Sequence, residues 1–185
     1  MSVLASKCEN NYSGFSKNLF TDVSDNVRIF SDKEWEENND EYKKVLFAIY
    51  IRTNKQNLVL MVDEGKFANI FESHPVTLSG GVYPNILVDS GMMCSKLFVE
   101  QALNFDSDEA LQTLCMNSAC YPVGAVETSK NYILVFNVIV STDILSNPNI
   151  HLNEGFHLHP IETLSIEDSL QRDISDSLVI VKSEV

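Results

Sequence analysis

The sequence predicts a single α/β domain, and three observations carry that prediction. Two apolar, β-branched runs, VLFAIYI over 45–51 and NLVLMV over 57–62, flank the polar turn RTNKQ, which is the pattern of a hairpin of core strands. The run YILVFNVIVS over 132–141 is long and β-branched enough to be a central strand. Helical periodicity then occurs twice, over 92–103 and over 165–178, where Ile166, Leu170, Ile174 and Leu178 recur every four residues on one stripe. A length of 185 residues with 44% apolar content suffices for one sizeable core.

Taken in order, residues 1–25 are rich in Ser, Asn and Lys, with Phe15, Leu19 and Phe20 as the strong anchors, and read as an irregular N-terminal arm. Residues 26–185 read as the domain. NVRIF over 26–30 predicts a short strand, and Ser31 with Glu34 has capping-box spacing before a short acidic helix or turn over 32–42. Thr77 to Val82 is strand-like and ends in Gly80 and Gly81, where the backbone has freedom for a sharp turn. In the helix over 92–103, Met93, Leu97 and Glu100 share a spacing with Val99 and Leu103 alongside, which predicts an apolar face through Met93 and Leu97. Asp106 or Ser107 caps a second helix over 108–117, and GFHLHPI over 155–161 is strand-like until Pro160. No internal repeat or low-complexity tract is present.

The formal charge of -13, from 26 acids against 13 bases, argues against direct nucleic-acid binding, because phosphate contacts need clustered Lys and Arg. Acid gathers in DKEWEENNDE over 32–41 and again over 154–184. Such clusters are read either as a solvated surface or as a face that docks on a basic partner or imitates nucleic-acid phosphates. Cys8, Cys94, Cys115 and Cys120 are too few and too irregular for a disulfide framework and form no zinc pattern, so free thiols in a reducing compartment are expected. No run approaches the length of a membrane span, and MSVLASKCENNYSG lacks a basic start followed by an apolar stretch, so a cytoplasmic protein without a membrane is expected. A nucleophile elbow, a P-loop and a dinucleotide-binding fingerprint are all missing. His157 and His159 alternate on one predicted strand and His151 lies nearby, and they read as surface or rim histidines.

At Ser79-Gly80-Gly81 the order of elements becomes similar to the Nudix fold, whose box G-x5-E-x7-R-E-U-x-E-E-x-G-U opens on such a glycine. Registered on Gly81, its aliphatic positions U fall on Leu97 and Leu103, and its last acidic position falls on Glu100. The first glutamate is replaced by Leu87, the arginine by Ser95, its neighbour by Lys96, the next glutamate by Val99 and the late glycine by Ala102. EWEENNDEYKKVLFAIYI and YPVGAVETSKNYILVFNVIV also resemble stretches of MutT-like proteins of phages and bacteria described as phosphoesterases. The resemblance spans roughly residues 26–180 and implies a Nudix-like mixed sheet sandwiched between helices.

Enzymes of that family hydrolyse nucleoside diphosphate derivatives with magnesium gathered on helix carboxylates. Magnesium demands near-octahedral oxygen ligands, and a lone Glu100 one turn from the ammonium of Lys96 is a poor anchor. No catalytic residue and no cofactor are therefore expected, with Glu100 the metal ligand if there is one. Asp89, Asp106, Asp108, Glu109 and Glu127 are the acids from which loops would rebuild a site. The ligand-binding candidates are Gly80, Gly81, Lys96, Glu100 and Glu127. The leading expectation is a non-catalytic protein that binds a protein partner through its acidic surface, or a nucleotide-like small molecule in the old cleft, as a phage-encoded inhibitor would. The alternatives are a divergent Mg²⁺-dependent pyrophosphohydrolase and an acidic DNA mimic.

Overall fold

β-Branched and aromatic runs bury best as strands, and α1 and α4 each bury one apolar pair, Leu19 with Val23 and Ala110 with Leu114. The computed structural model describes residues 2–12, 14–54, 58–62, 68–72, 86–116 and 118–160. In chain order these form β1 (Ser2–Ser6), β2 (Phe15–Ser16), α1 (Lys17–Asp25), β3 (Arg28–Ser31), α2 (Asp32–Asn38), β4 (Lys43–Thr53), β5 (Leu58–Val62) and β6 (Ala68–Glu72). There follow α3 (Ile86–Ala102), β7 (Leu103–Phe105), α4 (Asp108–Met116), β8 (Ser118–Glu127), β9 (Asn131–Val140), α5 (Thr142–Leu145), β10 (Ile150–Leu152) and β11 (Phe156–Pro160). Among the described residues nine strands join a mixed sheet, and β7 with β10 forms a separate two-stranded one. The mixed α/β class expected from the sequence is the class observed.

The chain divides into two compact units. The first holds Met1–Ile49, Ile70–Leu97 and Cys120–Phe136; the second holds Tyr50–Asn69, Phe98–Ala119 and Asn137–Val185.

In the first unit, residues 2–25, expected as an irregular arm, instead carry β1, β2 and α1. Their polar composition hides short apolar anchors: Leu4 and Ala5 are buried in β1, and Leu19 and Val23, one helical turn apart, are buried on α1. Strand β1 pairs antiparallel with β3 and, at its end, with the start of β4. Buried Ser6 donates from its hydroxyl to the Val23 carbonyl at 3.1 Å, which ties the strand to the helix. The capping box at Ser31 is present as expected: the Ser31 hydroxyl accepts from the Glu34 N–H, and the Glu34 carboxylate accepts from the Ser31 N–H at 2.8 Å. Phe136 of β9 is the hub of the core, its ring meeting Phe20 at 5.9 Å and Phe47 at 6.0 Å between centroids. The backbone of α3 reaches the same ring at Gly91, where an added Cβ would stand 2.2 Å from the Phe136 Cζ.

That approach reshapes the expected face of α3. Met93 and Leu97, read as its apolar stripe, are 46% and 44% exposed, whereas Leu87, Ser90, Gly91, Cys94 and Ser95 are buried. Small residues at helical spacing let the backbone close on the sheet, and depth of contact overrides side-chain hydropathy. Strand β8 went unread for a related reason: Pro122 and Gly124 look like breakers in sequence, yet β8 runs for ten residues. Gly124 is required there because the Phe15 ring lies 2.5 Å from where its Cβ would be.

In the second unit, Tyr50, Ile51, Phe98, Ala102, Leu103, Leu114, Val138, Val140 and Ile150 form the core. β5 pairs antiparallel with β4 at Arg52 and Val59, the expected hairpin, and with β11 in a ladder from Phe156 opposite Val62 to Pro160 opposite Leu58. Ser107 caps α4, accepting from the Ala110 N–H at 3.2 Å. β4 and β9 run parallel: the Asn54 N–H donates to the Val140 carbonyl at the ends of both strands, while the Lys43 ammonium at the start of β4 reaches the Thr128 carbonyl just before β9. Both strands are accordingly buried along most of their length. The segments expected as a strand over 77–82 and a helix over 165–178 lie outside the described residues.

Replacing Gly91→Ala drives a methyl group into the Phe136 ring and is expected to destabilise the fold by about 1–3 kcal/mol, read as a lower urea midpoint at unchanged slope. Glu34 carries a second expectation. Hydrogen bonds from the Ser31 N–H and hydroxyl hold its carboxyl below the usual range. A depressed native pKa gives stability that is present above the unfolded value and is lost as pH falls through the native one. Ser31→Ala should therefore move the Glu34 titration upward in an NMR pH series and narrow the acid range over which α2 persists.

Candidate functional site

Helix α3 carries Lys96 and Glu100 four residues apart, a spacing that places them on one face, and both are exposed. In the stretch before them Leu87 is 1% exposed and Ser95 is 4% exposed. The Ser95 hydroxyl donates to the Gly91 carbonyl at 2.8 Å and accepts from the Cys120 thiol at 3.2 Å, so its polarity is spent inside the protein. Burial pushes the Cys120 thiol up despite that hydrogen bond. The carboxylates of α3 are Asp89 and Glu100, eleven positions apart, which is about 16 Å along a helix axis. Two oxygens so separated do not fit a shared magnesium ion, and the position between them that faces Glu100 holds a lysine. Gly80 and Gly81 lie outside the described residues. Among the described residues no three His, Cys, Asp or Glu side chains converge as metal ligands.

Glu127, the other candidate, sits at the end of β8 and is engaged at both oxygens. One accepts from the Lys43 ammonium at 2.6 Å, and the other from the Tyr12 N–H at 3.4 Å. Lys43 also donates to the Thr128 carbonyl at 2.8 Å and stands 5.5 Å from the centre of the Tyr132 ring. The Tyr132 hydroxyl accepts from the Cys8 N–H at 3.2 Å, and the Tyr12 hydroxyl donates to Asp22 at 2.9 Å. Burial raises the Tyr132 phenol and the Cys8 thiol, which keeps both groups neutral at physiological pH. The structure thus places Glu127 in a clamp that holds residues 8–12 against the β8–β9 turn.

The acidic run over 32–41 forms α2 and the turn after it, and no residue of that helix is buried. Its attachment is aromatic. Trp35 lies 6.1 Å from Phe30, Phe30 lies 5.0 Å from Tyr42, and the Lys44 ammonium stands 5.8 Å from the Trp35 centroid. The side chains of Glu36, Glu37 and Asp40 project into solvent, and the run contains six acids against Lys33 alone. At its edge Glu41 pairs with Lys7 at 3.1 Å, both well exposed. The surface is therefore a negative face laid over a cation–aromatic underside.

In the second unit His151 meets Asp106 at 3.1 Å across the β7–β10 pair, with both side chains half exposed. His157 and His159 sit opposite Met61 and Val59 on β11. One residue escaped the sequence reading altogether. Asn137 is 3% exposed in the centre of β9, and its Oδ1 has no hydrogen-bond partner among the described residues. The signal was available, since Asn137 is the sole amide within YILVFNVIVS.

Breaking the clamp tests its structural role. Lys43→Met leaves Glu127 partly buried without its cation and should cost about 2 kcal/mol, whereas the double variant Lys43→Met, Glu127→Leu should recover part of that loss in the same denaturation experiment.

No family model and no curated protein matches the sequence. Among solved structures, the chain is similar to the crystal structure of Tm1382, a protein provisionally named a Nudix hydrolase, with a TM-score of 0.54 at 11% identity. The match covers 95% of this chain and 99% of that one. At this identity the likeness shows the fold, which is Nudix-like.

Proposed function

We propose that this chain is a binding protein on a Nudix-like scaffold, one that docks a basic protein partner on the acidic face of α2 and carries no magnesium-dependent hydrolysis. The reading rests on that face. A helix with no buried residue, held by a capping box and by Trp35, leaves the carboxylates of Glu36 and Glu37, and of Asp40 just after it, turned outward. An uncompensated field of this kind steers cationic partners and sets the register of docking. On the α3 side, registration of the Nudix box on Gly81 puts Leu87 and Ser95 where a glutamate and an arginine belong. Both are buried and committed to packing, so the box reads as degenerate. The resemblance to phage proteins favours a virus-encoded inhibitor or sequestering protein acting in the host cytoplasm.

A pull-down with the wild type and with a variant carrying Glu36→Gln, Glu37→Gln and Asp40→Asn tests the proposal. The wild type should retain a stable partner that the variant loses and that elutes steeply as salt rises. No partner for the wild type, or equal retention by the variant, would sink the reading. Incubation with nucleoside diphosphate derivatives and Mg²⁺ or Mn²⁺ should give no turnover; turnover abolished by Glu100→Gln would establish the hydrolase instead.

A further inference from the structure

Strand β8 lies beside β9 on one flank and, among the described residues, meets only β2 on the other, where Phe15 pairs with Val126 and Ser16 with Ala125. The chain leaves that pairing at Lys17 because Ser16 caps α1, its hydroxyl accepting from the Leu19 N–H. The β8 edge over 120–124 therefore runs on without a strand partner among the described residues. Between this edge and the first turn of α1 lies an open groove of about 410 Å³, lined by Lys17, Phe20, Tyr121, Pro122, Val123 and Gly124. Tyr121 is 43% exposed there, a large ring presented to solvent. Lys17 makes no ion pair among the described residues, whereas Lys7, Lys43 and Lys44 each hold a carboxylate.

We propose that this groove takes an extended peptide segment of a partner protein, which adds to the β8 edge where β2 stops. The segment lays an apolar or aromatic side chain against Phe20 and Tyr121 and brings a carboxylate to Lys17. An edge strand supplies unmet N–H and C=O groups, and an alternating peptide satisfies them while its side chains fill the groove. Pro122 removes a donor from β8, which limits pairing to a short segment and guards the edge against open-ended self-association. The charge of Lys17, without a counter-ion among the described residues, selects an acidic residue in the peptide. This site is separate from the α2 face, and its ligand carries the opposite charge.

The test titrates two acetylated, amidated heptapeptides into the ¹⁵N-labelled full chain: Thr-Val-Glu-Phe-Thr-Val-Thr and its twin with Lys in place of Glu. The glutamate peptide should give saturable shifts at Lys17, Phe20 and residues 120–124. Lys17→Glu, a change that also suits a helix N-terminus, should weaken that peptide about five-fold and turn the preference toward the lysine twin. Tyr121→Ser should weaken both peptides. The proposal falls if about 1 mM peptide leaves these amides unmoved, if the shifts map elsewhere, or if Lys17→Glu leaves the preference unchanged. It falls equally if sedimentation velocity shows a wild-type dimer that Tyr121→Ser dissolves, since the edge would then be occupied by a second copy.

Discussion

The seat of the Phe136 ring on Gly91 constrains the first unit more than any other contact. A ring that close to a helix backbone fixes how deeply α3 lies, and the depth decides which of its residues are inside. Leu87, Cys94 and Ser95 are drawn into the core, while Met92, Met93 and Leu97 are left at the surface. The same ring receives Phe20 from α1 and Phe47 from β4, so two helices and two strands share one aromatic centre. Aromatic packing of this kind is geometrically specific, with edge and tilted contacts near 6 Å.

The strands with continuous apolar runs were legible in sequence: β4, β5 and β9 stand where their composition puts them, and β4 and β9 are buried along most of their length. The capping box at Ser31 and the cap at Ser107 were legible because side-chain oxygens at helix starts obey a local rule. What escaped depends on partners distant in the chain. β8 hides behind Pro122 and Gly124, and its glycine makes sense only once Phe15 is seen above it. In the first unit the inward face of α3 carries Ser90, Gly91, Cys94 and Ser95 beside Leu87, small residues that let the backbone pack closer than the exposed Met93 and Leu97 would. The candidate site was legible to the same degree. Lys96 and Glu100 share an exposed face as their spacing requires, but nothing in the local sequence of Glu127 announces that Lys43 and Tyr12 take both its oxygens.

The two charged regions serve different ends. Around Glu127 the acid is matched, partly buried and tied to backbone groups, so it holds chain segments together. Along α2 the acids outnumber their counter-ions and lie in water, so they contribute little to cohesion and leave a long-range field. A chain with 26 acids thus uses a few of them as internal fasteners and displays others. A Nudix-like fold supports such use because a scaffold does not dictate what is mounted on it.

The parallel neighbours β4 and β9 bear on how the molecule is made. Lys43 and Thr128 meet across 85 positions, and Asn54 and Thr142 across 88, so the central ladder closes only after a very long loop has been drawn in. Local hairpins such as β8–β9 carry no such closure cost. Topologies dominated by remote pairings fold slowly, so closure of the β4–β9 ladder is the step expected to set the folding rate.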